Sequence, residues 1–157
     1  MGLAFVAAQS FITLIRTELI AVNNVHLRYL KSPLSFAGSN GCDALKLAPT
    51  LPAANCSEVE AINAVANFWK HSEEWPVSEA KSGTQVREVW VSGKNNKRTV
   101  EIVTALGLVP NSAGNLRKAA KALGVKDFED LSPIRKILKS WGTELLKNAR
   151  IEFGVKP

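Results

Sequence analysis

The residues around His71 have the types and the spacing that proton chemistry requires. Asn63, Asn67 and His71 recur every four residues, which on a helix stacks them one turn above another. Lys70 stands beside them. An imidazole titrates near neutral pH and can take a proton from a hydroxyl. An ammonium or an amide N–H can stabilise the negative charge that follows. His71, Lys70, Asn67 and Asn63 are therefore the candidate catalytic residues. The competing interpretation of this stripe is the solvated face of a surface helix.

The stretch that must position them is SEVEAINAVANFWKHSEEW, from Ser57 to Trp75. Ser57 and Glu60 have the spacing of a capping box. Glu58 and Glu60 put negative charge at the favourable end of the helix dipole. Pro76 ends the run and biases Trp75 away from the α region. At about 100° per residue, Ile62, Val65 and Trp69 share an apolar face widened by Ala61, Ala66 and Phe68. Glu60, Asn63, Asn67, Lys70, His71 and Glu74 fall on the polar side.

The string ANFWKHSEEW, residues 66–75, resembles an A-N-[FY]-[WF]-K-H-x-[DE]-E-W signature of small bacterial helical proteins. These are similar to the HEPN-like bundles of defence and toxin–antitoxin systems. The resemblance implies a helical bundle and a role on or near RNA. Active members of that superfamily cut RNA with an arginine, four to six residues, then a histidine. Here no arginine precedes His71 at that spacing, and Asn63 and Asn67 hold the nearest positions. Arg16 lies too far before His26 to supply the pair.

A chain of 157 residues fits one domain with a real core. Its charge is uneven: residues 1–75 carry five Lys/Arg and six Asp/Glu, whereas 76–157 carry fifteen and eight. A basic half points to a polyanion or an acidic protein as partner, although many basic domains owe the charge to solubility alone. Lys94, Lys97 and Arg98 in the turn GKNNKR, with Arg117, Lys118 and Lys121 further on, are the candidate nucleic-acid contacts. Cys42 and Cys56 form neither a disulfide framework nor a C-x-x-C pair, which points to a reduced, cytoplasmic protein. Met1 to Ile15 is apolar but lacks a basic leader and a cleavage site, so we expect a soluble helix and no membrane partner. No dinucleotide fingerprint, metal motif or nucleophile triad is present, and we expect neither cofactor nor metal.

Leu3 to Lys31 predicts one long helix with a seam at Phe5, Ala8, Ile12, Ile15, Leu19, Val22, His26 and Tyr29. That seam makes the helix a spine and a candidate homodimer contact. His26 reads as a satisfied core histidine, unless antiparallel packing on the Ser57 helix brings it to His71. The segment 33–56 predicts a long connection with a short helical turn at Asp43 to Leu47. For Gln85 to Val91 we favour helix over strand, because a lone hairpin has no sheet to join. Thr99 to Leu106 predicts a short helix closed by Gly107, and Asn111 or Ser112 caps a helix ending at Gly124. The link between these two helices is too long for a helix-turn-helix. Ser132 with Pro133 at the first position starts the last helix. Ile134, Ile137, Leu138, Trp141 and Leu145 form its buried stripe, with Gly142 admitting a neighbour towards Trp141. The tail from Phe153 to Pro157 reads as frayed.

The expected fold is a single all-α domain, a bundle built on one long N-terminal helix with shorter C-terminal helices. The expected function is that of a HEPN-like protein associated with RNA or a defence system, and any enzyme activity is a metal-independent ribonuclease. The alternative is a non-catalytic immunity or inhibitor-type protein that binds a macromolecular partner.

Overall fold

The computed structural model describes residues 1–36, 38, 41–82, 85–91, 93 and 96–154, with 81–82 and 85–87 described in backbone only. The fold is mostly helical, with two small antiparallel ladders. Helix α1 spans Gly2–Leu30 and α2 spans Glu58–His71. Between them lie a 3-10 turn at Asp43–Leu47 and the short pair β1 (Thr50–Leu51) and β2 (Cys56–Ser57). Strands β3 (Val77–Ser82) and β4 (Gln85–Trp90) follow, then α3 (Lys97–Ala105), α4 (Asn115–Ala122) and α5 (Ser132–Glu152).

Helix α2 is the centre of the core, and α1, α3, α4 and α5 all pack on it. Its start is the expected capping box. Ser57 Oγ accepts from the Glu60 amide at 3.0 Å, and Glu60 Oε2 accepts from the Ser57 amide at 2.8 Å. The same hydroxyl donates to Leu45 O at 2.6 Å, which joins the 3-10 turn to the helix. Val59, Ala61, Ile62, Ala64, Val65, Ala66 and Phe68 are buried. Trp69 is a correction to the expected apolar face: it is 49% exposed.

Helices α1 and α2 run antiparallel, because Gly2 abuts Trp69 and Gln9 reaches Asn63 and Asn67. That direction separates the two histidines instead of uniting them. His26 lies about 25 Å along α1 from Gln9, at 1.5 Å per residue, away from the His71 end of α2. It is buried and satisfied: Nδ1 lies 2.7 Å from Ser32 O, and the ring meets Phe153 edge-on at 5.7 Å. Nearby, the buried Asn23 Oδ1 accepts from the Leu34 amide at 2.7 Å, so two α1 side chains hold the chain as it leaves the helix. The expected seam is buried at Phe5, Ala8, Ile12 and His26 and partly buried at Ile15 and Leu19, but Val22 and Tyr29 are exposed, Tyr29 to 72%. Leu3, Leu14 and Val25 are exposed too. By length and composition α1 also meets the requirement for a membrane span.

The segment expected to be helical at 85–91 is a strand instead. Strands β3 and β4 pair from Val77↔Trp90 to Ser82↔Gln85, and the Val91 amide extends the ladder to Pro76 O at 2.7 Å. A lone hairpin is marginal, but packing on a helix supplies what a third strand would. That packing is aromatic. Phe68, Trp75 and Trp90 meet edge-to-face with centroids 5.3–6.0 Å apart.

Gly107 and Gly124 close α3 and α4 with φ of 77° and 79°, as expected for helix ends. The expected caps at Asn111 and Ser112 do not form, and α4 begins after Gly114 without a side-chain cap. Asn115 anchors α4 to the preceding link instead, bonding both the amide and the carbonyl of Val109. Ser132 is not the cap of α5 either. The Asp130 carboxylate accepts from the Ser132 amide at 2.8 Å and its hydroxyl at 2.9 Å, which holds that carboxyl below its ordinary range. Trp141 is fully buried and donates to Ala44 O at 2.7 Å, which locks α5 onto the 3-10 turn. Gly142 admits no neighbour, since a Cβ there meets nothing within 4 Å. Val155 to Pro157, in the tail expected to fray, lie outside the described residues.

Candidate functional site

The polar stripe of α2 is divided between three environments, because residues four apart still drift by about 40° around a helix. Asn63 and Asn67 turn towards α1. Gln9, itself buried, donates through Nε2 to Asn67 Oδ1 at 2.7 Å and Asn63 Oδ1 at 3.0 Å. Lys70 is exposed to solvent on the outer side. His71, at the last turn, faces a groove of about 450 Å³ shared with Asn67, Glu74, Asn96 and Thr99. The structure thus brings His71 and Asn67 together, and leaves Lys70 and Asn63 outside the groove lining.

His71 Nδ1 lies 3.4 Å from Glu74 Oε1, and both side chains are largely exposed. A carboxylate on Nδ1 leaves Nε2 as the nitrogen open to a substrate proton. The two asparagines present their donor ends. Asn67 Oδ1 is taken by Gln9, and Asn96 Oδ1 accepts from the Gly93 amide at 2.6 Å. Each is left with an NH₂ group to donate. Thr99 adds a hydroxyl in the first turn of α3, a helix whose start has no side-chain cap. A base beside several donors suits a substrate that loses a proton and gains negative charge.

The candidate nucleic-acid contacts do not converge on this groove. Arg98 turns to the other side of α3, donating to Asn55 O at 3.1 Å and pairing with Glu60 at 3.3 Å. Arg117 lies over the Phe128 ring at 5.3 Å, and Lys118 Nζ donates to Gly107 O at 3.1 Å. Lys97 and Lys121 are exposed, and Lys94 lies outside the described residues. Among the described residues no group of three or more His, Cys, Asp or Glu is placed to hold a metal.

Glu74 was visible from sequence only as part of the polar side of the helix, and Gln9, Asn96 and Thr99 were not among the candidate site residues. Gln9 had a signal, a long amide inside an otherwise apolar run. Asn96 and Thr99 had none, because the fold alone brings α3 to the end of α2. Comparison with protein-family models, curated proteins and solved structures finds no match.

Proposed function

We propose that the chain is a HEPN-like helical protein acting on RNA in a defence or toxin–antitoxin setting, with His71 as its proton-transfer residue. The observation that carries this reading is the pairing of His71 with donor-facing amides in one groove. His71 Nδ1 is turned to Glu74, while Asn67 and Asn96 have their oxygens committed. In such a site Nε2 takes the proton of a ribose 2′-hydroxyl. The oxygen attacks the adjacent phosphorus, and the bond to the 5′-oxygen breaks to leave a cyclic phosphate. Asn67 and Asn96 donate to the phosphoryl oxygens as charge builds, the part for which the family uses an arginine. Water returns a proton to the leaving 5′-oxygen.

The test is incubation of the purified protein with labelled RNA, wild type beside His71→Ala, across a salt series. Cleavage lost in the variant at unchanged thermal midpoint supports the reading. Salt-sensitive binding without cleavage moves the function to the basic half. Absence of both cleavage and binding refutes the RNA role.

A second reading, a non-catalytic protein that binds a macromolecular partner, is favoured by the outer face of α1. Leu14 and Val25 are 58% and 57% exposed on a 29-residue helix, and exposed apolar stripes of this kind mark interaction surfaces. A second copy of the chain is one such partner. If it pairs there, Leu14→Asp halves the mass in sedimentation and leaves any RNA activity intact. Ile15 is unsuited to this test because it packs into the core.

A further inference from the structure

Trp75 lines a second groove as well, of about 560 Å³, on the neighbouring edge of the last turn of α2. Phe68, Trp69, Ser72 and Glu73 form one wall, the buried Trp75 and Trp90 the floor, and the 110–113 link the rim. Trp69 is the unusual member. A Cβ added at Gly2 would sit 2.4–2.8 Å from three atoms of its fused ring system. Three similar distances across Cδ2, Cε2 and Cζ2 put Gly2 against the face of the indole and not its edge. The ring is therefore seated on the first turn of α1, with half its surface left open and lining the groove. A large flat ring held in this way is a stacking platform.

The polar groups around it are biased towards accepting. Glu73 is the one ionisable side chain among the described lining residues, and it is exposed. Asn111, held at a φ of 56°, donates its Nδ2 to Glu88 Oε2 at 2.8 Å, which leaves its own oxygen free to accept. Ser72 and Ser112 add hydroxyls. With no cation in the described lining and a carboxylate present, this groove repels phosphate. It suits a flat ring with N–H donors on its edge.

We propose that this groove takes an unstacked guanine of single-stranded RNA, its ring on Trp69 and its N1–H and N2–H₂ on the Glu73 carboxylate. Guanine presents two adjacent donors to two carboxylate oxygens. Uracil presents one donor flanked by acceptors. Adenine and cytosine place an unprotonated ring nitrogen beside the amino group, and a carboxylate repels it. The adjoining His71 groove differs in that its carboxylate, Glu74, lies against His71 and the Asn67 and Asn96 amides have N–H groups left to donate, so it is the groove that receives the neighbouring phosphate. This inference rests on the RNA reading above and names the base it selects.

The test is fluorescence anisotropy with labelled 2′-O-methyl RNA hexamers, which the protein cannot cut: UUGUUU, UUAUUU and UUUUUU. UUGUUU is expected to bind about tenfold more tightly than the other two. Trp69→Ala weakens it by roughly tenfold or more, the scale of one lost base stack, and Trp69→Phe retains most of the affinity. Glu73→Gln removes the preference for guanine without weakening UUUUUU. Because Glu73 is exposed, that variant keeps the fold and carries the test if Trp69→Ala does not. RNA binding that shows no preference for UUGUUU, with both variants behaving as wild type, overturns the guanine subsite and leaves the RNA reading standing. Failure to bind any hexamer or natural RNA overturns both. Capture of an arginine-containing peptide in place of RNA, lost in Trp69→Ala, overturns the guanine assignment and gives the groove to a cation.

Discussion

Replacing Gln9 by methionine removes the amide that joins α1 to the polar stripe of α2 while nearly conserving volume. The side chain is 7% exposed, and its Nε2 meets Asn67 Oδ1 at 2.7 Å and Asn63 Oδ1 at 3.0 Å. Two N–H donors support two full bonds, each with a net worth of about 1 kcal/mol. Asn63 and Asn67 are half-buried and can recruit water once abandoned, so the larger penalty for sealed polar groups does not apply. The cavity contribution is small for a volume-conserving change. Gln9→Met is therefore expected to lose about 2 kcal/mol. In a chain of this size that lowers the thermal midpoint by about 4–8 °C. Urea unfolding followed by tryptophan fluorescence measures it, with a shifted midpoint at unchanged slope. A double-mutant cycle with Asn67→Ala isolates the pair, and a coupling of about 1 kcal/mol is expected. A loss below about 0.5 kcal/mol, or a cycle that is additive within that margin, refutes the clamp. Gln9→Met also frees the Asn67 oxygen to face the His71 groove, which should lower any cleavage of the proposed kind.

Trp141→Phe deletes the buried hydrogen bond to the Ala44 carbonyl and leaves space where the larger ring was fully buried. It should cost about 2 kcal/mol or more in urea unfolding, and a near-neutral result would mean that the carbonyl finds water. Gly142→Ala should stabilise by about 1 kcal/mol, since a Cβ there meets nothing within 4 Å and α5 gains helix propensity; a lower thermal midpoint contradicts this. Burial pushes the Cys56 thiol from 9.0 up to about 11, with Glu60 adding to it. The unfolded chain then ionises first, so this contribution to stability is complete below about pH 9 and is lost as pH rises towards 11. Cys56→Ala should flatten the decline in urea midpoint between those pH values. In the native protein iodoacetamide at pH 8 should label the exposed Cys42 and spare the buried Cys56, and equal labelling of both thiols contradicts the burial.

Local rules reached a good part of this molecule. The capping box at Ser57 and Glu60, the αL ends at Gly107 and Gly124, and the turn at Asp43–Leu47 each depend on a few adjacent residues. The long first helix and the helices at 58–71 and 132–152 also follow from periodicity within one stretch. His71 and Asn67 were legible as neighbours for the same reason. What needed the tertiary structure depends on who packs against whom. The hairpin at 77–90 exists because Trp75 and Trp90 find Phe68 on α2, a partner that no local pattern reveals. Helix α5 starts at Ser132 with Leu131 in the cap position and no side-chain cap, and Ser132 bonds back to the Asp130 carboxylate, an outcome settled by backbone geometry. Trp69 was expected in the core, yet its ring rests on Gly2, at the far end of another helix. Asn67 was visible as part of a stripe, but only the approach of Gln9 from α1 decided which end of its amide is left for a ligand. Sequence determined the helices and their polar faces because those are set within a few turns of chain. The grooves were decided by long-range contacts between helices, which a single stretch of sequence does not encode.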